Sequence, residues 1–135
     1  MKTSLKKKVL GLSIIAIVLV SCEKDNTVID TTTRNDYVGS WTCTETPVAK
    51  NLYFDCVITA DATTEDNIKL QNFASLNATA FAIVSGKSVI LPKQTLNGNT
   101  IEGYGTMNNK DYISWSYYVK DNTDSVMYNT NFNRK

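Results

Sequence analysis

The amino-acid sequence predicts an all-β fold: an eight-stranded antiparallel up-and-down β-barrel. Three observations predict it. From Tyr37 onward there is no sustained 3.6-residue apolar period. Short runs rich in Val, Ile, Thr, Tyr and Phe recur instead, separated by clusters of Gly, Asn, Asp and Ser that suit turns. Eight such runs follow one another with short links, and a meander of that size removes its exposed edges by closing on itself. The chain has 135 residues, 42% hydrophobic and 20% charged, which is ordinary for a single folded domain.

The N-terminus is organised differently. Lys2, Lys6, Lys7 and Lys8 precede an apolar stretch at 9–20, a charged n-region and an h-region too short for the roughly 20 residues that a membrane span needs. It ends in Leu19-Val20-Ser21-Cys22. This resembles the bacterial lipobox, which implies a signal peptide at 1–21 and lipidation of Cys22, an anchor of several acyl chains that holds durably. Glu23 after the cysteine resembles the sorting position of outer-membrane lipoproteins and implies that membrane, with the domain exposed at the cell surface. Residues 22–36 carry Asp, Asn and Thr with a single apolar pair, Val28-Ile29, and read as a lipidated flexible tether. The folded domain is then 37–135. Of the fourteen Lys and Arg, four lie in the leader; the remaining ten face thirteen Asp and Glu, a net charge of −3. A mildly acidic domain with no basic stripe argues against a nucleic-acid partner.

The predicted strands are 38–46, 52–60, 67–73, 79–84, 88–96, 100–107, 112–119 and 125–132. In the first hairpin Trp41 and Cys43 share one face of strand one, and Phe54, Cys56 and Ile58 share one face of strand two. A turn centred between Ala49 and Lys50 sets Cys43 opposite Cys56 and Trp41 opposite Ile58. With Cys22 acylated, two cysteines remain in an oxidising setting, so a Cys43–Cys56 disulfide is expected. Strand four is apolar on both faces, and Pro92 in strand five cannot donate to a ladder, which suggests a bulge or an edge. In the hairpin of strands six and seven, Ile113, Trp115, Tyr117 and Val119 alternate with polar residues. A loop at 108–110 places Gly103 across from Trp115 and Gly105 across from Ile113. These glycines either make room for the indole or open a gap for a ligand. Trp41, Phe54, Ile58, Ile113, Trp115 and Tyr117 together form the expected barrel lining or core.

The run Tyr37-Val38-Gly39-Ser40-Trp41 resembles the Gly-x-Trp motif that opens the first strand of lipocalins and their calycin relatives. The run at 83–98 is similar to the lipocalin-like domains of small exported lipoproteins of Gram-negative bacteria. The resemblance implies a Trp that plugs the closed end of the barrel and an arginine near the end of the last strand that stacks on it, for which Arg134 is the candidate.

Enzyme chemistry has few residues to work with. The sequence has no histidine, which removes His-based nucleophile activation, His-ligated zinc and proximal-His haem. Paired carboxylates remain, with Asp55, Asp61, Glu65, Asp66 and Glu102 as candidates, but all read as solvated. Neither a metal-ligand spacing nor a phosphate-binding loop occurs, so no cofactor, no metal and no catalytic residue is expected. Asp30-Thr31-Thr32 and Asp124-Ser125-Val126 resemble bacterial O-glycosylation sites. Two functions stay open. The barrel binds a small apolar molecule or packs as a solid core, or its surface serves a protein partner as an interaction or protease-inhibitor module.

Overall fold

A computed structural model describes residues 27–46 and 52–135. The expected signal peptide and Cys22 lie outside the described residues. The remainder is a closed barrel of eight antiparallel strands in sequential order, β1 next to β8. A four-residue helix α1 (Arg34–Tyr37) precedes β1 (Gly39–Thr46), β2 (Leu52–Ala60), β3 (Asn67–Gln71), β4 (Thr79–Ser85), β5 (Ser88–Leu96), β6 (Asn99–Asn109), β7 (Tyr112–Lys120) and β8 (Ser125–Arg134). One further turn of 3-10 helix, Phe73–Ser75, lies between β3 and β4.

Alternation sets the two faces of every strand. Trp41, Cys43 and Glu45 point inward from β1, Phe54, Cys56 and Ile58 from β2, and Ile113, Trp115 and Tyr117 from β7. In β4 the inward set is Ala80, Ala82 and Val84, while Phe81 and Ile83 face out, which resolves the strand that is apolar on both sides.

Both hairpin registers differ from expectation by two residues. Trp41 pairs with Cys56 and Cys43 with Phe54, while Ile58 stands opposite Gly39. Gly105 pairs with Trp115 and Gly103 with Tyr117, because β6 runs on to a bulge between Met107 and Asn109. An apolar pattern of period two detects a slip of one residue, which exchanges the faces, but not a slip of two, which preserves them. The expected disulfide falls with the register. Cys43 and Cys56 are buried free thiols. They are diagonal neighbours, a relation whose usual spacing is wider than the roughly 3.8 Å between Cβ atoms in a disulfide.

The part of the chain expected to be tether contributes to the fold. Asp36 accepts from the Thr33 N–H at 2.8 Å and nucleates α1, which lies across one end of the barrel. Arg34 Nη1 donates to the carbonyls of Asp61, Thr64 and Asn67, gathering the β2–β3 loop. Asp30 accepts from the Lys87 N–H at 2.8 Å, and the Tyr37 hydroxyl donates to the Gly86 carbonyl at 2.9 Å, so both reach the β4–β5 turn. Arg134 donates to the carbonyls of Lys110, Val38 and Asp36 and lies 4.2 Å from the centre of the Trp41 ring. This is the arginine–tryptophan stack that the sequence motif implies, and it closes this end.

Glycine makes β6 fit against β7. A Cβ on Gly103 would collide with the Ser116 carbonyl oxygen and lie 2.6 Å from Tyr117 Cβ; one on Gly105 would lie 2.8 Å from the Trp115 ring and 2.9 Å from Val89 Cγ1. The glycines therefore admit the large side chains of β7 and leave no gap. Gly105→Ala is expected to cost about 1–3 kcal/mol by overpacking. Gly103→Ala should cost more, because the obstacle there is backbone. Chemical denaturation of the two variants checks the order.

Candidate functional site

The barrel has two unlike ends. Opposite α1 lies the mouth, formed by the β3–β4 connection, the β5–β6 turn and the β7–β8 loop. The space beneath it is filled from a loop. Phe73, expected at the end of strand three, belongs instead to the connection at 72–78 and turns its ring inward. Its centroid lies 4.7 Å from that of Tyr117, 5.2 Å from Trp115 and 6.1 Å from Phe132. The edge-on and tilted arrangements are those that aromatic rings prefer. Trp115 and Phe132 are themselves 5.7 Å apart, and Phe132 touches Trp41 at 6.5 Å and Phe54 at 6.3 Å, so the plug joins one aromatic cluster.

The backbone that carries the plug is strained. Asn72, Ala74, Ser75 and Asn77 all have φ between +52° and +62°. Asparagine tolerates this region, whereas Ala74 and Ser75 bear the steric cost of a Cβ there, typically about 1–2 kcal/mol each. Asn72 holds the loop: its Nδ2 donates to the Asp55 carbonyl at 2.9 Å and its Oδ1 accepts from the Asn77 N–H at 3.0 Å.

A buried polar chain lies beside the plug. The Tyr117 hydroxyl donates to Glu45 Oε1 at 2.6 Å and meets Thr130 Oγ1 at 2.9 Å. Burial raises the Glu45 carboxyl above the usual carboxylate range, and the Tyr117 hydrogen bond works against that rise. The Tyr117 hydroxyl is pushed up by burial and by the nearby Glu45. Among the described residues Trp115 Nε1 is buried without a hydrogen-bond partner. The Cys43 thiol, on the same inward face, is pushed up by burial, which leaves it protonated and unreactive.

All six residues expected to line the barrel, Trp41, Phe54, Ile58, Ile113, Trp115 and Tyr117, are buried within it. The candidate carboxylates do not converge. Asp55 lies on the outer face of β2 and pairs with Lys135 Nζ at 2.6 Å, Asp61, Glu65 and Asp66 occupy the β2–β3 loop, and Glu102 stands outward on β6. Glu45, absent from that set, is the carboxylate the fold takes inside. Its signal was the alternation Trp41, Cys43, Glu45. Phe73 left no such trace, because its inward position depends on the loop and not on strand periodicity.

The outer surface offers a second feature. Ile90, Tyr104, Tyr118 and Met127 are 41–60% exposed, and with Pro92 they line a groove of about 340 Å³ across β5 to β8. No protein-family model matches the chain and no curated protein matches it, so the geometry carries the functional argument alone.

A carboxyl raised by folding holds its proton more tightly in the folded state. Its contribution to stability is full at acid pH and is lost as pH rises through the folded-state value. The hydrogen-bonded Asp30, Asp36, Asp61 and Asp121, all lowered, act with the opposite sign. Their effect is common to the protein and to Glu45→Gln. The stability of the unaltered protein relative to Glu45→Gln should therefore fall as pH rises above the ordinary carboxylate range, as read by denaturation at each pH. Tyr117→Phe, which strands both Glu45 and Thr130, should cost about 1–3 kcal/mol.

Proposed function

We propose that this protein is a lipid-anchored, non-catalytic binding protein of the outer membrane whose barrel takes a small apolar molecule in the space that Phe73 fills. The carrying observation is that a fully buried ring of the interior aromatic cluster, Phe73, comes from a strained loop and not from a strand. A barrel that needs only a solid core is filled by its strands, whose inward positions are already ordered. A loop residue can leave without breaking a ladder. Behind it stand the aromatic faces of Trp115, Tyr117 and Phe132. The hydroxyls of Tyr117 and Thr130 and the Glu45 carboxyl form a buried hydrogen-bonded chain, and among the described residues the buried Trp115 N–H has no partner. Such walls suit a flat, mostly apolar ligand with one polar group.

The anchor reading rests on residues 1–22 of the sequence. Eight residues on from Cys22, Asp30 is bonded to the β4–β5 turn at the closed end. An extended chain of that length reaches less than about 30 Å. An anchor at Cys22 would therefore hold the closed end toward the membrane and turn the mouth away from it.

A second reading draws on the outer groove, where Tyr104 and Tyr118 would contact a protein partner. One experiment separates the two. Titration with the apolar fluorophore N-phenyl-1-naphthylamine should give one saturable site, tighter in Phe73→Ala and unchanged in Tyr104→Lys. Loss of the signal in Tyr104→Lys would move recognition to the outer face, and no binding by any of the three proteins would end the interior reading. Phe73→Ala should also cost about 3–5 kcal/mol without the fluorophore, and saturating fluorophore should restore part of that.

A further inference from the structure

Two ladders of the barrel wall stop short of the mouth, β2–β3 at Val57 with Gln71 and β4–β5 at Ile83 with Ile90, one on either side of the 72–78 connection, and the second is the shorter. β4 and β5 pair only through Ile83 with Ile90, Val84 with Val89 and Ser85 with Ser88, all near the closed end. The first half of β4, Thr79 to Ala82, pairs with β3 on its other side but has no ladder partner on β5. The cause lies in β5, where Pro92 contributes no N–H and the register against β6 shifts between Leu91 and Gln94.

One side chain bridges the opening. Gln94 Oε1 accepts from the Phe81 N–H at 2.9 Å, and Gln94 Nε2 donates to the Phe81 carbonyl at 2.9 Å and to the Pro92 carbonyl at 2.9 Å. The amide takes the place of the missing peptide group of a β5 neighbour. A second amide stands at the mouth end of the same opening: Asn97 Nδ2 donates to the Leu76 carbonyl at 2.6 Å and to that of Asn77 at 3.3 Å. These two side chains are what joins the Phe73 loop and the first half of β4 to β5 and the turn that follows it.

We infer that the β4–β5 seam is the entrance to the barrel, with Gln94 and Asn97 as its latch and the loop at 72–78 as the moving part that withdraws Phe73. This deepens the binding reading and rests on it. Three features coincide on one segment: the ring that fills the interior, four residues of positive φ, and attachment to β5 through the side chains of Gln94 and Asn97. Opening there breaks no β4–β5 ladder pair. The strain gives the closed loop less to lose. At the shortened β2–β3 ladder the Asn72 amide donates to the Asp55 carbonyl, and between the other strands entry would require breaking a longer ladder.

Two readouts test this, one of them without any ligand. In native-state hydrogen exchange the Phe81 N–H and the loop amides of Asn72 and Leu76 should open together, and Gln94→Leu should speed all three about tenfold or more. The Val84 and Val89 amides should keep their rates. Acceleration confined to Phe81, or spread evenly over the barrel, would overturn the seam. In stopped-flow mixing with N-phenyl-1-naphthylamine, the association rate should level off at high fluorophore concentration. Both Gln94→Leu and Asn97→Ala should raise that plateau, and Phe73→Ala should abolish it. An unchanged plateau in both latch variants, with binding intact, would overturn the entrance and leave the binding reading standing. Absence of binding even in Phe73→Ala would overturn the binding reading and the entrance with it.

Discussion

Closing eight strands into a barrel fixes an interior volume, and the inward positions of those strands have to fill it without colliding. The rest of this structure follows from how unevenly they do so. β7 supplies Trp115 and Tyr117, too large to stand opposite ordinary neighbours, and β6 answers with Gly105 and Gly103 at the paired positions. β4 supplies only Ala80, Ala82 and Val84. The space left between bulky β7 and thin β4 is where Phe73 lies, against Trp115 and Tyr117. A loop is drawn into the barrel because the strands leave room for it.

What could be read from the sequence follows the same physics. Alternation decides which residues face inward, and the buried faces of β1, β2 and β7 are those the pattern implies. It does not distinguish registers that differ by two residues, so the partners of Trp41, Cys43, Gly103 and Gly105 needed coordinates. Pro92 announced an interruption in the wall, because a missing N–H is a local fact. That Gln94 fills the interruption is not local, since it depends on Phe81 lying across the gap. The segment before Tyr37 looked unable to order itself, and by its own apolar content it is. Arg34 and Asp30 order it through backbone groups of distant turns, which composition does not report.

The polar chain of Glu45, Tyr117 and Thr130 adds a second kind of unevenness. A carboxyl in an apolar barrel costs stability unless it is neutral or hydrogen-bonded, and Glu45 is both raised toward neutrality by burial and bonded to Tyr117. A leucine at that position would fill space without this cost. On the proposed binding reading, Glu45 is the polar group that a ligand would meet beside Tyr117.

The contrast between the ends decides where the barrel can move. At the closed end two guanidinium groups, Arg34 and Arg134, donate to carbonyls around the β2–β3 loop, the β6–β7 turn and the strand that opens the barrel. The Arg134 stack on Trp41 adds to this. Around the 72–78 loop the corresponding work falls to neutral amides, Asn72, Asn97 and Gln94. Hydrogen bonds from a charged donor are roughly twice as strong as neutral ones. With backbone strain added at 72–78 and the Arg134–Trp41 stack at the closed end, the proposed local opening falls at 72–78. The entry proposed above uses that division, with one end rigid enough to keep the walls in place and the other the place where they part.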